Sequence, residues 1–172
     1  MNARFKRRTG GAWVSILIIA AVLALRYYQS QQVAQDAPPE VPQQGTVEVD
    51  RVVDGDTSLL KDRTRVRLIG VNTPESVKPD APVEPFGPEA SAFTRQFIGE
   101  GPVRLQFDRE REDQYGRTLA YVWVGEQMLN EELLRAGLAR ATLGYRFSES
   151  MKNRFRKAQD EAKQAGRGIW SQ

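Results

Sequence analysis

The stretch TVEVDRVVDGDTSLLKDRTRVRLIG, residues 46–70, decides the fold, because apolar and polar side chains alternate along it as they do in half-buried β-strands. Its first part alternates valine with charged residues. Thr57 to Leu60 and Thr64 to Gly70 have the composition of two further strands, with a turn at Lys61–Asp62 between them. The pattern therefore predicts three consecutive antiparallel strands joined by short turns.

The chain after Gly70 alternates between a loop, helices and strands. Four prolines between Val71 and Gly87 predict a long loop, and Pro88 can occupy the first turn of a helix. The expected apolar stripe of that helix is Ala90, Phe93 and Phe97. Two more strands are predicted at Val103 to Phe107 and at Thr118 to Val124.

The C-terminal part predicts two further helices and one more extended segment. Asn130 is expected to cap a short helix, and Leu138 to Leu143 reads as a strand. Ser148 begins a longer helix whose predicted stripe comprises Met151, Phe155, Ala158, Ala162 and Ala165. The order predicts an α+β fold, a five-stranded OB-fold β-barrel with about three helices, preceded by an N-terminal hydrophobic helix.

The N-terminal residues differ in character from the rest. A cationic cluster at Arg4 to Arg8 precedes an uncharged, mostly apolar run from Gly10 to Leu25. We interpret residues 1–28 as a signal-anchor or transmembrane segment, residues 29–45 as a flexible linker and residues 46–172 as the folded domain. The domain is then expected outside the cytoplasm, anchored to the membrane. Secretion after cleavage of a signal peptide is the alternative.

Net charge says little about the partner of the folded domain. The sequence has 25 basic and 22 acidic residues and a pI near 9.3. Residues 1–35 contribute five of the basic residues and no acid, which leaves 20 basic and 22 acidic residues for the remainder. The basic pI therefore belongs to the N-terminal segment. A nucleic-acid surface has to be argued from local placement of charge.

The chain lacks both cysteine and histidine. Disulfides, thiol nucleophiles and zinc sites built from cysteine are excluded, and the commonest general base is missing. Chemistry at neutral pH must then use carboxylates, arginine, lysine, tyrosine or hydroxyl groups. Oxygen ligands without imidazole or thiolate favour calcium or magnesium.

Three short segments carry the residues that phosphodiester hydrolysis needs. They are Val53–Thr57, Arg67–Glu75 and Asp113–Arg117. Together they offer oxygen ligands for a hard cation, two guanidinium groups for a phosphate and a carboxylate base for water. Glu75 is the candidate base, and Pro74 favours an extended Thr73 whose carbonyl can face a metal.

In order and spacing these segments resemble the motifs of the staphylococcal nuclease (thermonuclease) family, over essentially all of residues 46–172. Further similar segments are Phe86–Phe93, Leu119–Tyr121, Leu129–Glu131 and Ile169–Trp170. The resemblance implies an OB-fold endonuclease that uses Ca²⁺, cuts DNA and RNA and leaves 3′-phosphate ends. It also implies a monomeric domain with a nucleic-acid substrate.

The resemblance also implies roles for individual residues. Arg67 and Arg117 would contact the scissile phosphate as catalytic residues beside Glu75, and Asp56 would be a calcium ligand. For Tyr115, a contact to sugar or phosphate and an exposed turn aromatic without a role are equally open. For Asp54 a turn residue that satisfies local amides is the favoured interpretation.

One residue departs from the family pattern. The commonest residue at position 72 is aspartate, a metal ligand, whereas this chain has Asn72. An amide oxygen is neutral, so Asn72 and Thr73 would complete the metal site with one formal charge fewer, and weaker calcium binding is expected. The substitution keeps one alternative open, a weakly active or inactive OB-fold module that binds nucleic acid or an envelope protein.

Overall fold

The alternating stretch forms three antiparallel strands, as its pattern predicts. They are β1 (Val49–Asp54), β2 (Thr57–Leu60) and β3 (Arg65–Leu68). In β3, Val66 and Leu68 are buried, whereas Arg65 is exposed to solvent. The alternation of burial along β3 is what places Arg67 on the opposite side of the strand from the core.

The computed structural model describes residues 22–24, 26, 45–76 and 83–171. The chain divides into two units, residues 1–37 and 38–172, and the fold discussed here is that of the second unit. Residues 22–24 and 26 are helical. The remainder of the expected anchor, and the expected linker up to residue 44, lie outside the described residues. No helix in the described part of the chain is long and apolar enough to span a bilayer.

The sheet curls round until its first and last strands meet. Strand β6 (Thr118–Val124) runs parallel to β3, and β5 (Arg104–Gln106) runs antiparallel to β6. Two backbone hydrogen bonds of 2.8 and 2.9 Å between Val47 and Val103 then join the residues just before β1 to the residue just before β5. The strand order β1-β2-β3-β6-β5 is OB-fold-like, which confirms the predicted class of sheet.

Two of the three two-residue strands, β4 (Val71–Asn72) and β7 (Gln127–Met128), were not predicted. Strand β4 pairs with β8 (Arg140–Ala141), and β7 pairs with the end of β6. The predicted loop therefore begins after Asn72 rather than at Val71. The predicted strand Leu138 to Leu143 shortens to β8, the two residues that find a partner. Strands β4 and β8 depend on pairing between distant segments, which local pattern does not encode.

Helix α1 (Gly87–Ile98) has Pro88 in its first turn and ends at Gly99, as expected. Its buried face is nevertheless polar at its centre, with Ser91 and Thr94 among the buried residues. Phe93 and Phe97, predicted to be the core stripe, are only partly buried and stack on each other with ring centroids 6.1 Å apart. The helix thus buries its own small polar side chains rather than its two phenylalanines, and these polar side chains contact the site described below.

Helix α2 (Leu129–Arg135) shows that Asn130 is not a cap, so that prediction was wrong. Asn130 lies inside the helix and is 0% exposed. Its Oδ1 accepts a hydrogen bond of 3.1 Å from the Val122 amide, and its Nδ2 donates one of 2.9 Å to the Ile69 carbonyl. The side chain therefore satisfies two buried backbone groups and joins α2 to β6 and to the segment after β3.

Helix α3 (Glu149–Gln164) follows Ser148, as predicted. Four of its five stripe residues are buried, and Ala165 is exposed at the C-terminal cap. Phe155 is the central contact, since its ring meets Tyr121 edge-on at 6.0 Å and Phe147 at 5.9 Å. The stripe thus covers the open side of the curled sheet with large apolar surface.

The chain ends in a short 3₁₀ turn, Gly168–Trp170, that docks on the end of α2. The Ile169 amide donates to the Gly137 carbonyl at 2.9 Å. A Cβ atom built on Gly137 would lie 2.2 Å from the Arg167 carbonyl oxygen, and Gly137 has φ of 72°. Only glycine permits both this backbone conformation and this backbone-to-backbone approach.

We expect Asn130→Ala to lower the free energy of unfolding by about 2–4 kcal/mol, because it leaves two buried backbone groups without partners. Urea denaturation followed by circular dichroism measures the change. Asn153→Ala, which removes an amide from the exposed face of α3, is the matched control and should change stability by less than about 0.5 kcal/mol. An Asn130→Ala protein as stable as the control would contradict this account.

Candidate active site

Three segments that are distant in sequence meet beside β3. The turn between β1 and β2 carries Asp54 and Asp56, and the chain from Arg67 to Glu75 passes next to it. The turn before β6 carries Arg117. The parallel pairing of β3 with β6 brings the third segment alongside the second, because Arg67 and Leu119 are partners in the register.

Asp56 is the link between the first two segments. It is only 6% exposed, and its Oδ2 lies 3.1 Å from Nη2 of Arg67. The same oxygen accepts a hydrogen bond of 2.9 Å from the Thr73 amide, and Oδ1 accepts one of 3.1 Å from the Thr57 hydroxyl. A buried carboxylate needs such compensation, and here it comes from one cation and two neutral donors.

The guanidinium of Arg67 donates hydrogen bonds to the segment that follows it. Nη1 donates to the carbonyls of Leu68 and Val71 at 3.0 and 2.8 Å, and Nη2 donates to Oδ1 of Asn72 at 3.1 Å. Burial lowers the pKa of Arg67 below its ordinary value; Asp56 opposes this effect and the nearby positive charge of Arg117 adds to it. The guanidinium stays charged but is largely stripped of water, which strengthens its contacts with an anion.

Asn72 and Asp56 direct their oxygens at the same nitrogen, Nη2 of Arg67, each at 3.1 Å. Thr73 next to them is buried, and its Oγ1 has no hydrogen-bond partner in the described part of the chain. A carboxylate, an amide oxygen and a threonine thus adjoin one another. Within the described residues, no group of three or more histidine, cysteine, aspartate or glutamate side chains could hold a metal ion.

Glu75 lies two residues beyond Thr73 and is partly buried. Its backbone is held by Glu84, since its amide donates to the Glu84 side chain at 3.1 Å and its carbonyl accepts from the Glu84 amide at 2.9 Å. These two bonds connect the two sides of the loop between β4 and α1. The loop is therefore pinned close to the residue that sequence reasoning assigned as the base.

Arg117 is oriented by Asp113, a residue to which the sequence analysis assigned no role. Oδ2 of Asp113 accepts from Nε of Arg117 at 2.7 Å, while Oδ1 accepts from the amides of Tyr115 and Arg117 at 2.9 and 3.1 Å. Burial acts to raise the pKa of Asp113, but the hydrogen bonds from Arg117 and Tyr115 outweigh it and leave the pKa below 3.8. The anchor is therefore intact above about pH 4 and is lost only as the pH falls through that lowered value.

A cleft of about 410 Å³ adjoins part of this arrangement. The predicted residues Arg67, Asn72, Tyr115 and Arg117 all line it. The predicted residues Asp56, Thr73 and Glu75 do not line it. Asp56 contacts Arg67 and the Thr73 amide, and Glu75 lies two residues beyond Thr73. Tyr115 is 73% exposed, and the guanidinium of Arg117 lies over its ring at 5.4 Å.

Comparison with known proteins agrees with this geometry. Residues 65–172 match the family model described as staphylococcal nuclease homologue. The chain is 42% identical over 161 residues to a thermonuclease of Staphylococcus hyicus, covering 91% of this chain and 95% of that protein. A thermonuclease of Staphylococcus intermedius is 50% identical over 125 residues, covering 71% of this chain and 74% of that protein.

The chain belongs to the staphylococcal nuclease family. A third relative, the endonuclease YncB of Bacillus subtilis (strain 168), is 39% identical over 129 residues, which are 73% of this chain and 61% of that protein. The family and these relatives identify the chain as a nuclease, an enzyme that hydrolyses phosphodiester bonds in nucleic acid.

Sequence reasoning missed several residues that line this cleft or lie close to it. Tyr145 and Arg146 line the cleft, and Tyr145 is 68% exposed. An exposed aromatic next to a cation is a signal for nucleic acid, but the segment read as a loop between a strand and a helix. Ser76 and Ser91, which contact Asp54, are too common in type to stand out in a sequence.

We expect Asp113→Ala to lower kcat/KM for single-stranded DNA by about tenfold, because Arg117 loses its side-chain anchor and the turn loses two amide bonds. Initial rates of DNA hydrolysis measure the effect. The control is Asp62→Ala, since Asp62 holds the Thr64 amide in an exposed turn remote from the cleft. Equal rates in the Asp113 variant and the control would refute the anchoring role.

Proposed function

We propose that the protein is a calcium-dependent nuclease that hydrolyses DNA, RNA or both to 3′-phosphate products. The observation that carries the proposal is the convergence of Asp56, Arg67 and Asn72 at one end of a cleft that also contains Arg117. Two arginines near one another, with oxygen ligands beside them, suit binding of an anionic phosphodiester. Further negative charge accumulates on the phosphate oxygens when the phosphorus is attacked, and the arginines can stabilise it.

The residues present fit a hard divalent cation. Asp56, Asn72 and Thr73 offer oxygen only, and the oxygens of Asp56 and Asn72 already face one positive group. Calcium accepts carboxylate, amide and backbone oxygens with flexible geometry. When bound by these residues, calcium supplies positive charge beside the scissile phosphate and helps to polarise water.

Arg67 and Arg117 would bind the scissile phosphate within the cleft. A guanidinium fork matches two phosphate oxygens at once, and in a largely dehydrated position its bonds tighten as charge accumulates on those oxygens. Nη1 and Nη2 of Arg67 already contact oxygens of the protein, whereas Asp113 contacts Arg117 through Nε and Nη2, so that Nη1 of Arg117 can turn to a phosphate while the Asp113 contact is kept. Arg117 is thus the more preorganised of the two.

Glu75 would take a proton from the attacking water. A carboxylate suits this role in a chain without histidine. The leaving 5′-oxygen then departs opposite the entering water, and the phosphate remains on the 3′ side. Tyr115, exposed at the rim of the cleft, would contact the sugar or a neighbouring phosphate.

We expect Glu75→Gln to lower kcat on single-stranded DNA by at least about 100-fold at saturating calcium, because the amide cannot accept the proton. Glu89→Gln, an exposed glutamate in the first turn of α1, is the matched control and should keep full activity. A chelator should abolish wild-type cleavage. Cleavage that survives both the chelator and Glu75→Gln would overturn the proposal.

We expect Asn72→Asp to lower the calcium concentration for half-maximal rate, because the site regains one formal negative charge. Isothermal titration calorimetry with calcium alone should show tighter binding in the same variant. Asn153→Asp, which adds the same charge on the exposed face of α3, controls for net charge. Identical calcium affinity in wild type and Asn72→Asp would remove Asn72 from the ligand set.

For localisation we propose a monomeric catalytic domain, residues 46–172, that is anchored outside the cytoplasm by residues 1–28. The cationic cluster, the apolar run and the proline-containing linker of residues 29–45 support this proposal. Fractionation of cells into membrane and soluble parts, with protease added to intact cells, tests it. A soluble cytoplasmic protein resistant to added protease would exclude the anchor.

A further inference from the structure

Asp54 is buried near the site, yet it contacts neither Arg67 nor any other predicted site residue by hydrogen bond. It is 9% exposed, and its Oδ1 accepts three hydrogen bonds, from the Gly55 amide at 2.8 Å, from the Ser76 hydroxyl at 2.6 Å and from the Ser91 hydroxyl at 3.3 Å. The two hydroxyl groups are themselves 2.9 Å apart. A single carboxylate oxygen thus connects a β-turn, a loop and a helix.

Two of the three connected segments lie beside Glu75. Ser76 is its immediate neighbour in the chain, and Ser91 is a buried residue of α1 that is 5% exposed. The start of α1 also touches Glu75 directly, because a Cβ atom built on Gly87 would lie 2.6 Å from the Glu75 carbonyl oxygen. Glu75 therefore follows a segment tied to Asp56 at Thr73 and precedes a residue tied to Asp54.

We propose that Asp54, Ser76 and Ser91 form a positioning clamp that fixes the backbone of Glu75 for proton transfer. The proposal rests on the role proposed above for Glu75 as the base. Charge-assisted hydrogen bonds to a carboxylate are short and strong, and a buried one resists exchange with water. The clamp residues act through Glu75, and none of them touches the substrate.

A loop glutamate without such a clamp would sample many orientations, and a displacement of about 1 Å can cost about 100-fold in rate. The loop between β4 and α1 is long, and hydrogen bonds on either side of Glu75 limit this freedom. Asp56 holds the start of the loop at Thr73, whereas the clamp holds it immediately after Glu75. Asp54 and Asp56, which are separated by Gly55, therefore fix the chain on either side of the proposed base.

The clamp predicts a loss of kcat that is separate from substrate binding. Ser76→Ala and Ser91→Ala should each lower kcat on single-stranded DNA by about tenfold or more, while KM and the calcium concentration for half-maximal rate stay within about twofold of wild type. Ser76→Thr, which keeps the hydroxyl, should restore most of kcat. A rise in KM without loss of kcat, or no rescue by threonine, would overturn the clamp.

A structural control separates positioning from general weakening of α1. Thr94→Val removes another buried hydroxyl from the same helix, one that donates to the Gly55 carbonyl at 2.6 Å and does not contact Ser76. It should lower the melting temperature as Ser91→Ala does, but keep kcat at temperatures where the protein is folded. An equal loss of kcat in Thr94→Val would assign the effect to helix stability and reject the clamp.

Hydrogen–deuterium exchange tests the clamp without any reference to activity. In the full chain, the amides of Glu75 and Ser76 should exchange at least about tenfold faster in Ser76→Ala than in wild type, with the amides of β6 unchanged. If these rates are equal, the clamp fails even where Glu75→Gln is inactive. If Glu75→Gln retains cleavage while exchange still accelerates in Ser76→Ala, the proposed role of Glu75 as the base is wrong but the clamp is supported.

Asp54→Asn distinguishes the clamp from a direct role of Asp54 at the cation. The amide keeps Oδ1 as an acceptor for both serine hydroxyls, so that kcat should fall less than in Ser76→Ala, with unchanged calcium affinity by calorimetry. A marked loss of calcium affinity in Asp54→Asn, together with normal kcat in Ser76→Ala, would make Asp54 a ligand and overturn the proposal.

Discussion

The buried ion pair between Asp56 and Arg67 is the contact on which the site depends. It joins the first hairpin turn to the third strand, and the same Asp56 oxygen holds the Thr73 amide of the segment that follows. Such a pair adds little net stability, because both ions lose hydration. Removing one partner is costly, about 3–5 kcal/mol, since the other charge is left buried and alone. The pair thus specifies geometry more than it stabilises the fold.

Charge acts locally in this domain. Its basic and acidic residues nearly balance, and Asp113, Glu110 and Glu112 line the same cleft as Arg67 and Arg117. Long-range attraction of a polyanion is therefore modest, and capture depends on two oriented guanidinium groups. Orientation comes from carboxylates that contact the arginines, Asp56 at Arg67 and Asp113 at Arg117.

Local pattern predicted much of the fold but not the pairing between distant segments. Thr57–Leu60 and Thr118–Val124 were foreseen to the residue, because alternation and flanking turns are local properties. The pairing of Val71–Asn72 with Arg140–Ala141 was not, since neither dipeptide has a pattern of its own. Asn130 was misread for the same reason, as its role depends on backbone groups of β6 and of the segment after β3.

The site residues were predicted through side-chain chemistry, and the supporting residues were not. Carboxylates, arginines and an asparagine in three short segments predicted a site for a phosphate and a hard cation from the sequence. Asp113 and the two serines support them through hydrogen bonds that only a folded chain reveals. Their residue types are ordinary in turns and helices, so that sequence alone gives them no weight.

The docking of Gly168 against Gly137 has a consequence for biosynthesis. The two backbones touch within van der Waals distance, with a carbonyl of one residue against the Cα of the other. During synthesis the barrel strands can pair as they emerge, whereas the end of α2 is completed only once Gly168 and Ile169 have also left the ribosome.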